Sequence, residues 1–301
     1  MCKPHFWPWL ILLSLLALGL AGCSARPDEN TVPDKFSQAL ARLFSFSGNL
    51  FFEDQGDEKR QFLWRGEMDL SELNNPVLKG TLKLETPSDP QNISLTLEMR
   101  HLEGASYFRL SQVNLPSSLP FLLSISHKWY RLENEGTLGD GSKWLGGSSS
   151  NEKWDEEDDE TLRAFLANTR FFEVEDYLGR ETVEGIVSHH FQIKLTEEAL
   201  KALAQKWGEL SQVTASTTAF IQFINRFTNK KLELWLATSD LHPVKLLAEG
   251  TGSLDPYPPP RLHFELVISG YNIPVRVEPP KEAEEFLNQG LLKLLPFFSS
   301  G

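Results

Sequence analysis

The stretch FSFSGNLFFEDQGDEKRQFLWRGEMDL (Phe44–Leu70) decides the fold. Phe44, Phe46, Gly48, Leu50 and Phe52 recur at every second position. So do Phe62, Trp64, Gly66, Met68 and Leu70, with mostly polar residues between them. A period of two places each set on one face of a strand. The intervening DQGDEK carries the Gly and Asp of a turn. Two such strands make an antiparallel hairpin with one dry face and one wet face.

The pattern continues outward. In VLKGTLKLE (77–85), Leu78, Gly80, Leu82 and Leu84 alternate with Lys79, Thr81, Lys83 and Glu85, and NISLTLEMR (92–100) repeats the pattern with Ile93, Leu95, Leu97 and Met99. Further strands are predicted at 106–110, 128–132, 171–178, 186–195, 232–237, 242–250 and 261–271, about eleven in all. Gly48, Gly66 and Gly80 all fall on the apolar face. They either bend the sheet sharply or make room for neighbouring aromatics.

Helical spacing interrupts the meander. A short helix is predicted at DKFSQALARLF (34–44), with Phe36, Leu40 and Leu43 on one side. A helical pair is predicted over 196–228. Thr196 can cap the first helix, whose buried stripe is Leu200, Leu203, Ala204, Trp207 and Leu210; the second carries Phe220, Phe223, Ile224 and Phe227. The loop 134–160 is rich in Gly and Ser and ends in six acids, Asp155 to Glu160. These acids offset the dipole of a helix over 161–168, or lie solvated; a calcium site is the weaker alternative, because the spacing lacks a dedicated loop pattern. After Pro279-Pro280, residues 281–288 read as a short helix. The apolar run 291–298 is expected to pack on the domain rather than in a membrane interface.

The N-terminus has a different character. One basic residue, Lys3, precedes an apolar stretch from Phe6 to Gly22 that ends in small residues, the outline of a secretory signal peptide over 1–22. Leu20-Ala21-Gly22-Cys23 resembles a bacterial lipobox. The resemblance implies a diacylglyceryl group on the Cys23 sulfur, cleavage before Cys23, and acylation of the new amino group. Two or three acyl chains anchor a protein stably where one does not. Residues 24–33, SARPDENTVP, read as a flexible tether, so that 23–35 joins lipid to fold. The only other cysteine is Cys2, so the processed chain has no intrachain disulfide. Ser24 is not the aspartate associated with inner-membrane retention, which points to the outer membrane in a diderm host and to the cell membrane otherwise.

The formal net charge is −12, and −13 once Lys3 is lost. An acidic chain lacks the basic footprint that nucleic acid requires. The sequence is 41% hydrophobic, enough for a real core, and no internal repeat is visible.

Several stretches together resemble the LolA/LolB-like lipoprotein superfamily, nearest to the LppX/LprG type of lipid-carrying envelope lipoproteins. They are YLGRETVEGIVSHHFQIKL (177–195), HKWYRLE (127–133), LELWLAT (232–238), HPVKLLAEG (242–250) and ISGYNIPVRVEPP (268–280). The resemblance spans most of residues 36–284. It implies an α+β fold: a curved, open antiparallel half-barrel over 36–301 with helices on its concave face around a hydrophobic cavity for acyl chains. The 134–160 segment has no place in that pattern. Fold alone does not fix function.

Chemistry-bearing motifs are scarce. There is no G-x-S-x-G, P-loop, H-E-x-x-H or EF-hand loop, so neither an enzyme nor a cofactor is predicted. His189 and His190 are adjacent in a strand and point to opposite faces, which disfavours a shared metal. His189 falls on the apolar face with Val187, Phe191 and Ile193. Phe46, Phe52, Phe62, Trp64, Trp207, Phe220, Phe223 and Phe227 are the candidates for lining a cavity. Three readings follow. The first is a membrane-anchored carrier of lipids or other amphiphiles. The second is an interaction or sensor lipoprotein with a filled core. The third, an envelope enzyme, ranks last for want of a site.

Overall fold

The structure is a computed structural model and describes residues 26–54, 60–71, 76–88, 91–114, 126–133, 156–211, 227–252 and 261–285. Each alternating stretch becomes a strand. The first half of the chain forms β1 (Ser45–Asp54), β2 (Arg60–Asp69), β3 (Val77–Ser88), β4 (Gln91–Leu102), β5 (Ala105–Asn114) and β6 (Trp129–Glu133). The second half forms β7 (Phe172–Val183), β8 (Ile186–Leu195), β9 (Phe227–Ala237), β10 (Pro243–Gly252) and β11 (Arg261–Tyr271), followed by a two-residue β12 (Glu284–Glu285).

All twelve belong to one open sheet, in the order β12-β6-β5-β4-β3-β2-β1-β11-β10-β9-β8-β7. The two meanders join where β1 pairs with β11. Every pairing is antiparallel except that of β12 with β6. The sheet with its helices is the α+β arrangement expected from the sequence.

The three strand glycines stand in register, Gly48 opposite Gly66 and Gly66 opposite Gly80. A β-carbon on Gly48 would press into the Val267 carbonyl, and one on Gly66 into the Lys79 carbonyl. Gly66 and Gly80 also leave room for the Trp64 indole. Room for an aromatic, one of the two sequence explanations, therefore holds at Gly66 and Gly80. The glycines let backbones approach closely across the middle of the sheet, and two of them seat an aromatic ring.

Three helices complete the described fold. α1 (Val32–Ala41) begins two residues earlier than the periodicity predicts. Pro33 suits the first turn because it needs no intrahelical donor there, and Val32 is fully buried. α2 (Glu156–Asn168) takes the acids 156–160 into its own first turns, where they complement the dipole. α3 (Glu197–Ser211) follows Thr196 as expected.

α1 packs against α2 and lies on the β7–β10 part of the sheet. Phe36 and Leu40 of α1, Phe165 and Leu166 of α2, and Ala199 and Leu203 of α3 meet Phe172, Phe191, Leu234 and Leu236 of the sheet in one core. Arg163 of α2 fastens this layer. Its guanidinium donates to the carbonyls of Ala41 (3.0 Å), Leu43 (3.2 Å) and Leu70 (2.6 Å). From the sheet side, the Tyr271 hydroxyl donates to the Ala39 carbonyl at 2.5 Å.

Two expectations are corrected. Phe227 does not end a helix; it opens β9 opposite Gly252. Residues 281–285 are not helical, because Glu284 and Glu285 pair with Tyr130 and Arg131. The outer edge of β6 is completed by this pairing, and Pro279-Pro280 deliver the chain to it without helical φ/ψ at the preceding residues. The rest of the predicted helix, 286–288, and the apolar run 291–298 lie outside the described residues.

Candidate functional site

The apolar faces of the strands add up across the sheet. Tyr177, Phe191, Leu234, Leu246, Leu266, Leu50, Trp64, Leu82, Leu97 and Leu110 are successive register partners from β7 to β5. A parallel row runs beside it through Ala248, Phe264, Phe52, Phe62, Leu84 and Leu95. Facing pairs of this kind lie about 5 Å apart, so the rows form a continuous apolar band.

The band is covered more fully toward its two ends than between them. Phe191 and Leu234 are 0% and 2% exposed beneath the helices. Leu82, Leu84, Leu95 and Leu97 are only half-buried. Further along, Leu110 and Tyr130 are buried again and gather Leu95, Leu97, Phe108 and Val113 around them. The half-buried part of the main row therefore runs from Leu246 on β10 through Leu266, Leu50 and Leu82 to Leu97 on β4, interrupted by the buried Trp64 on β2.

Four of the eight candidate cavity residues sit on this band. Phe46 and Trp64 meet edge to face with centroids 6.3 Å apart, while Phe52 faces Phe62 across β1 and β2. Trp64 is almost fully buried; the three phenylalanines are half-buried. Trp207 belongs to α3, and its side chain lies outside the description, as does that of Phe227. Phe220, Phe223 and Cys23 lie outside the described residues. Leu82, Leu97, Leu246 and Leu266 belong to the band as well, although they are not aromatic. Their period-two spacing was the signal that includes them.

The two histidines diverge as adjacent strand residues must. His189 is buried on the apolar side and shares a 3.1 Å hydrogen bond between Nδ1 and the Tyr177 hydroxyl. Burial, with Arg180 nearby, holds its pKa below the ordinary value. Val187, expected beside it, is half exposed near the hairpin tip. His190 stacks on Trp235 on the other face, with centroids 4.0 Å apart. It lies 3.5 Å from Glu181 and 3.6 Å from Glu233. Burial lowers its pKa despite these two carboxylates.

That opposite face carries polar clefts. One, of about 640 Å³, lies among Arg65, Glu67, Lys79, Glu98, Arg100 and Trp129. Its charges are largely mutually satisfied: Lys79 pairs with Glu67 at 2.9 Å and Arg109 with Glu98 at 2.6 Å. A second, of about 470 Å³, lies under residues 275–278, where the chain crosses toward β6. The carbonyls of Arg276 and Glu278 there accept from Lys79 (3.2 Å) and Arg100 (2.8 Å). Among the described residues, no group of three or more His, Cys, Asp or Glu could hold a metal ion, and no helix is long and apolar enough to cross a membrane.

No family model and no curated protein matches the chain. Two solved structures resemble it in chain course. LprF from Mycobacterium bovis matches over 85% of this chain and 98% of its own, at 11% identity and a TM-score of 0.42. A Vibrio parahaemolyticus domain assigned to outer membrane lipoprotein sorting matches over 83% of this chain and 95% of its own, at 15% identity and a TM-score of 0.24. The architecture described above rests on its own strand pairing.

Proposed function

We propose that this chain is an extracytoplasmic lipoprotein, anchored through Cys23, that holds a lipid or other amphiphile against the apolar band of its sheet. The observation that carries this reading is the in-register apolar row across ten strands, half-buried at Leu82 and Leu97. An apolar surface of that length would be a liability in water, and acyl chains are a chemically matched cover for it. Carriage of this kind needs no catalytic group, and transfer between membranes is a further step of the same reading.

The test is native mass spectrometry of residues 24–301 purified without detergent. Masses of bound lipid, lost in Leu82→Glu, support the reading, since a buried unpaired charge is costly. A bare protein that also takes up no fluorescent fatty-acyl probe refutes it. Burial of Leu110 and Tyr130 at the far end of the band favours the second reading, an interaction or sensor lipoprotein with a filled core, and the bare protein is its expected outcome.

A further inference from the structure

The chain between the proposed anchor and the fold is short, and its described part, from Arg26 on, lies against one edge of the sheet. The Arg26 guanidinium stands 5.2 Å from the centre of the Tyr177 ring on β7. Its Nε donates to Glu29 at 3.0 Å. Asp28 then closes a turn, accepting from Thr31 N–H at 2.9 Å through its carbonyl and from Asn30 N–H at 3.1 Å through its side chain. Arg170, just before β7, donates to the Asn30 carbonyl at 2.9 Å and to both oxygens of Asp34. Val32, two residues further, is 0% exposed. The segment 26–31 is thus held along β7 between Tyr177 and Arg170, where the sequence alone suggests a free tether.

β7 is a terminal strand of the sheet. Only Ser24 and Ala25 separate Cys23 from Arg26, and an extended chain spans at most about 3.5 Å per residue step, or about 10 Å over the three steps. Acyl chains on Cys23 would therefore leave β7 little freedom to stand away from the bilayer. The β5 and β6 side lies nine or more strand spacings off, about 40 Å along the sheet at ~4.8 Å each.

We infer that β7 is the membrane-facing edge of the lipidated protein, with the half-exposed Leu178 at the interface. This rests on the lipoprotein reading and adds an orientation to it. Tyr177 is also the first member of the apolar row, so the band starts at the bilayer edge and leads away from it. The exposed charges of β7 are mainly acidic, Glu173, Glu175, Asp176 and Glu181 against Arg180. An acidic edge gains nothing from anionic headgroups, so the covalent tether, and not adsorption, holds it there.

The test exploits cysteine usage. The chain has no cysteine after Cys23, so one introduced cysteine is the only free thiol of the processed, acylated protein. A fluorophore is placed on Leu178→Cys or Gln112→Cys, two exposed positions on β7 and β5. The full-length acylated proteins are reconstituted in phosphatidylcholine vesicles carrying a headgroup quencher, with acylation first verified by intact mass. Quenching should be several-fold stronger at 178 than at 112. Inserting 20 Gly/Ser residues between Ala25 and Arg26 should abolish the difference, since such a linker reaches about 25 Å. Equal or reversed quenching in acylated protein, or a difference that survives the insertion, overturns the orientation alone. Absence of acyl mass overturns the lipoprotein reading and this inference with it.

Discussion

The Trp64 indole lies over Gly80 on the neighbouring strand, so closely that a β-carbon on Gly80 would stand 2.8 Å from its ring nitrogen. That β-carbon would also stand 2.9 Å from the Arg65 carbonyl, whereas the three nearest atoms to one on Gly48 are all backbone, first the Val267 carbonyl. Alanine at either position overpacks the middle of the sheet, at a cost of about 1–3 kcal/mol. The two should respond differently to a smaller neighbour. Trp64→Leu should recover part of the Gly80→Ala loss and none of the Gly48→Ala loss. Urea unfolding of the double variants measures this coupling. Equal rescue of both would show that the close approach of β1 to β11 is not what Gly48 serves.

The apolar row should behave as two halves. Phe191 is fully buried under α1 and α3, and Phe191→Ala should cost about 3–5 kcal/mol. Leu82 and Leu97 are half-buried and take no part in that core. Leu97→Ala removes fewer contacts and should cost less than half as much, while reducing uptake of a fatty-acyl probe. Chemical denaturation and probe titration on the same samples separate the effects. A Leu97→Ala loss as large as that of Phe191→Ala would mean that the middle of the band is core and not a binding surface.

Strand existence was legible because each strand has a dry face and a wet one. The phase of Leu50, Trp64, Leu82 and Leu97 is visible in four separate stretches. Their alignment into one row was not, since register depends on hairpin lengths and on irregularities such as the shift between Thr96 and Leu97. Arg163 escaped notice for a related reason. Its three acceptors are backbone carbonyls, which leave no trace in residue type. The turn at Asp28 to Thr31 looked like tether by composition. The burial of Val32 that orders it comes from strands more than 130 residues away.

Three histidines set a pH dependence. Burial lowers the pKa of His101 and is the first cause of the lowering at His189 and His190. The unfolded chain protonates histidine near pH 6.5. Below that pH it takes up protons that the folded protein resists, so stability falls. The loss begins as pH drops through about 6.5 and continues down to the lowered folded values. The thermal midpoint should therefore decrease from pH 7.5 to 5.5, and His190→Gln should flatten part of that slope. A midpoint that rises on acidification would mean that Glu181 and Glu233 outweigh burial at His190.

Arg163 offers the sharpest separation of charge from geometry. Its guanidinium ties the end of α1, the entry to β1 and the end of β2 to α2 through three carbonyls, and its central carbon lies 5.0 Å from the centre of the Phe44 ring. A rigid fork can serve acceptors in several directions at once, whereas a lysine ammonium at the end of a flexible stem cannot match that pattern. Hydrogen bonds from a charged donor contribute about 1.5–3 kcal/mol each, and carbonyls left without a partner add a desolvation penalty. Arg163→Lys keeps the charge and should recover little of the loss in Arg163→Ala. Both should loosen α1 and α2 before the sheet, because one severed contact joins α2 to α1 and the other two join α2 to the β1 and β2 ends. Hydrogen exchange at Phe36 to Leu40, read against exchange in β3 and β4, measures this. Full protection of α1 in Arg163→Lys would show that charge near the Phe44 ring, and not the fork of carbonyl contacts, fastens the helices to the sheet.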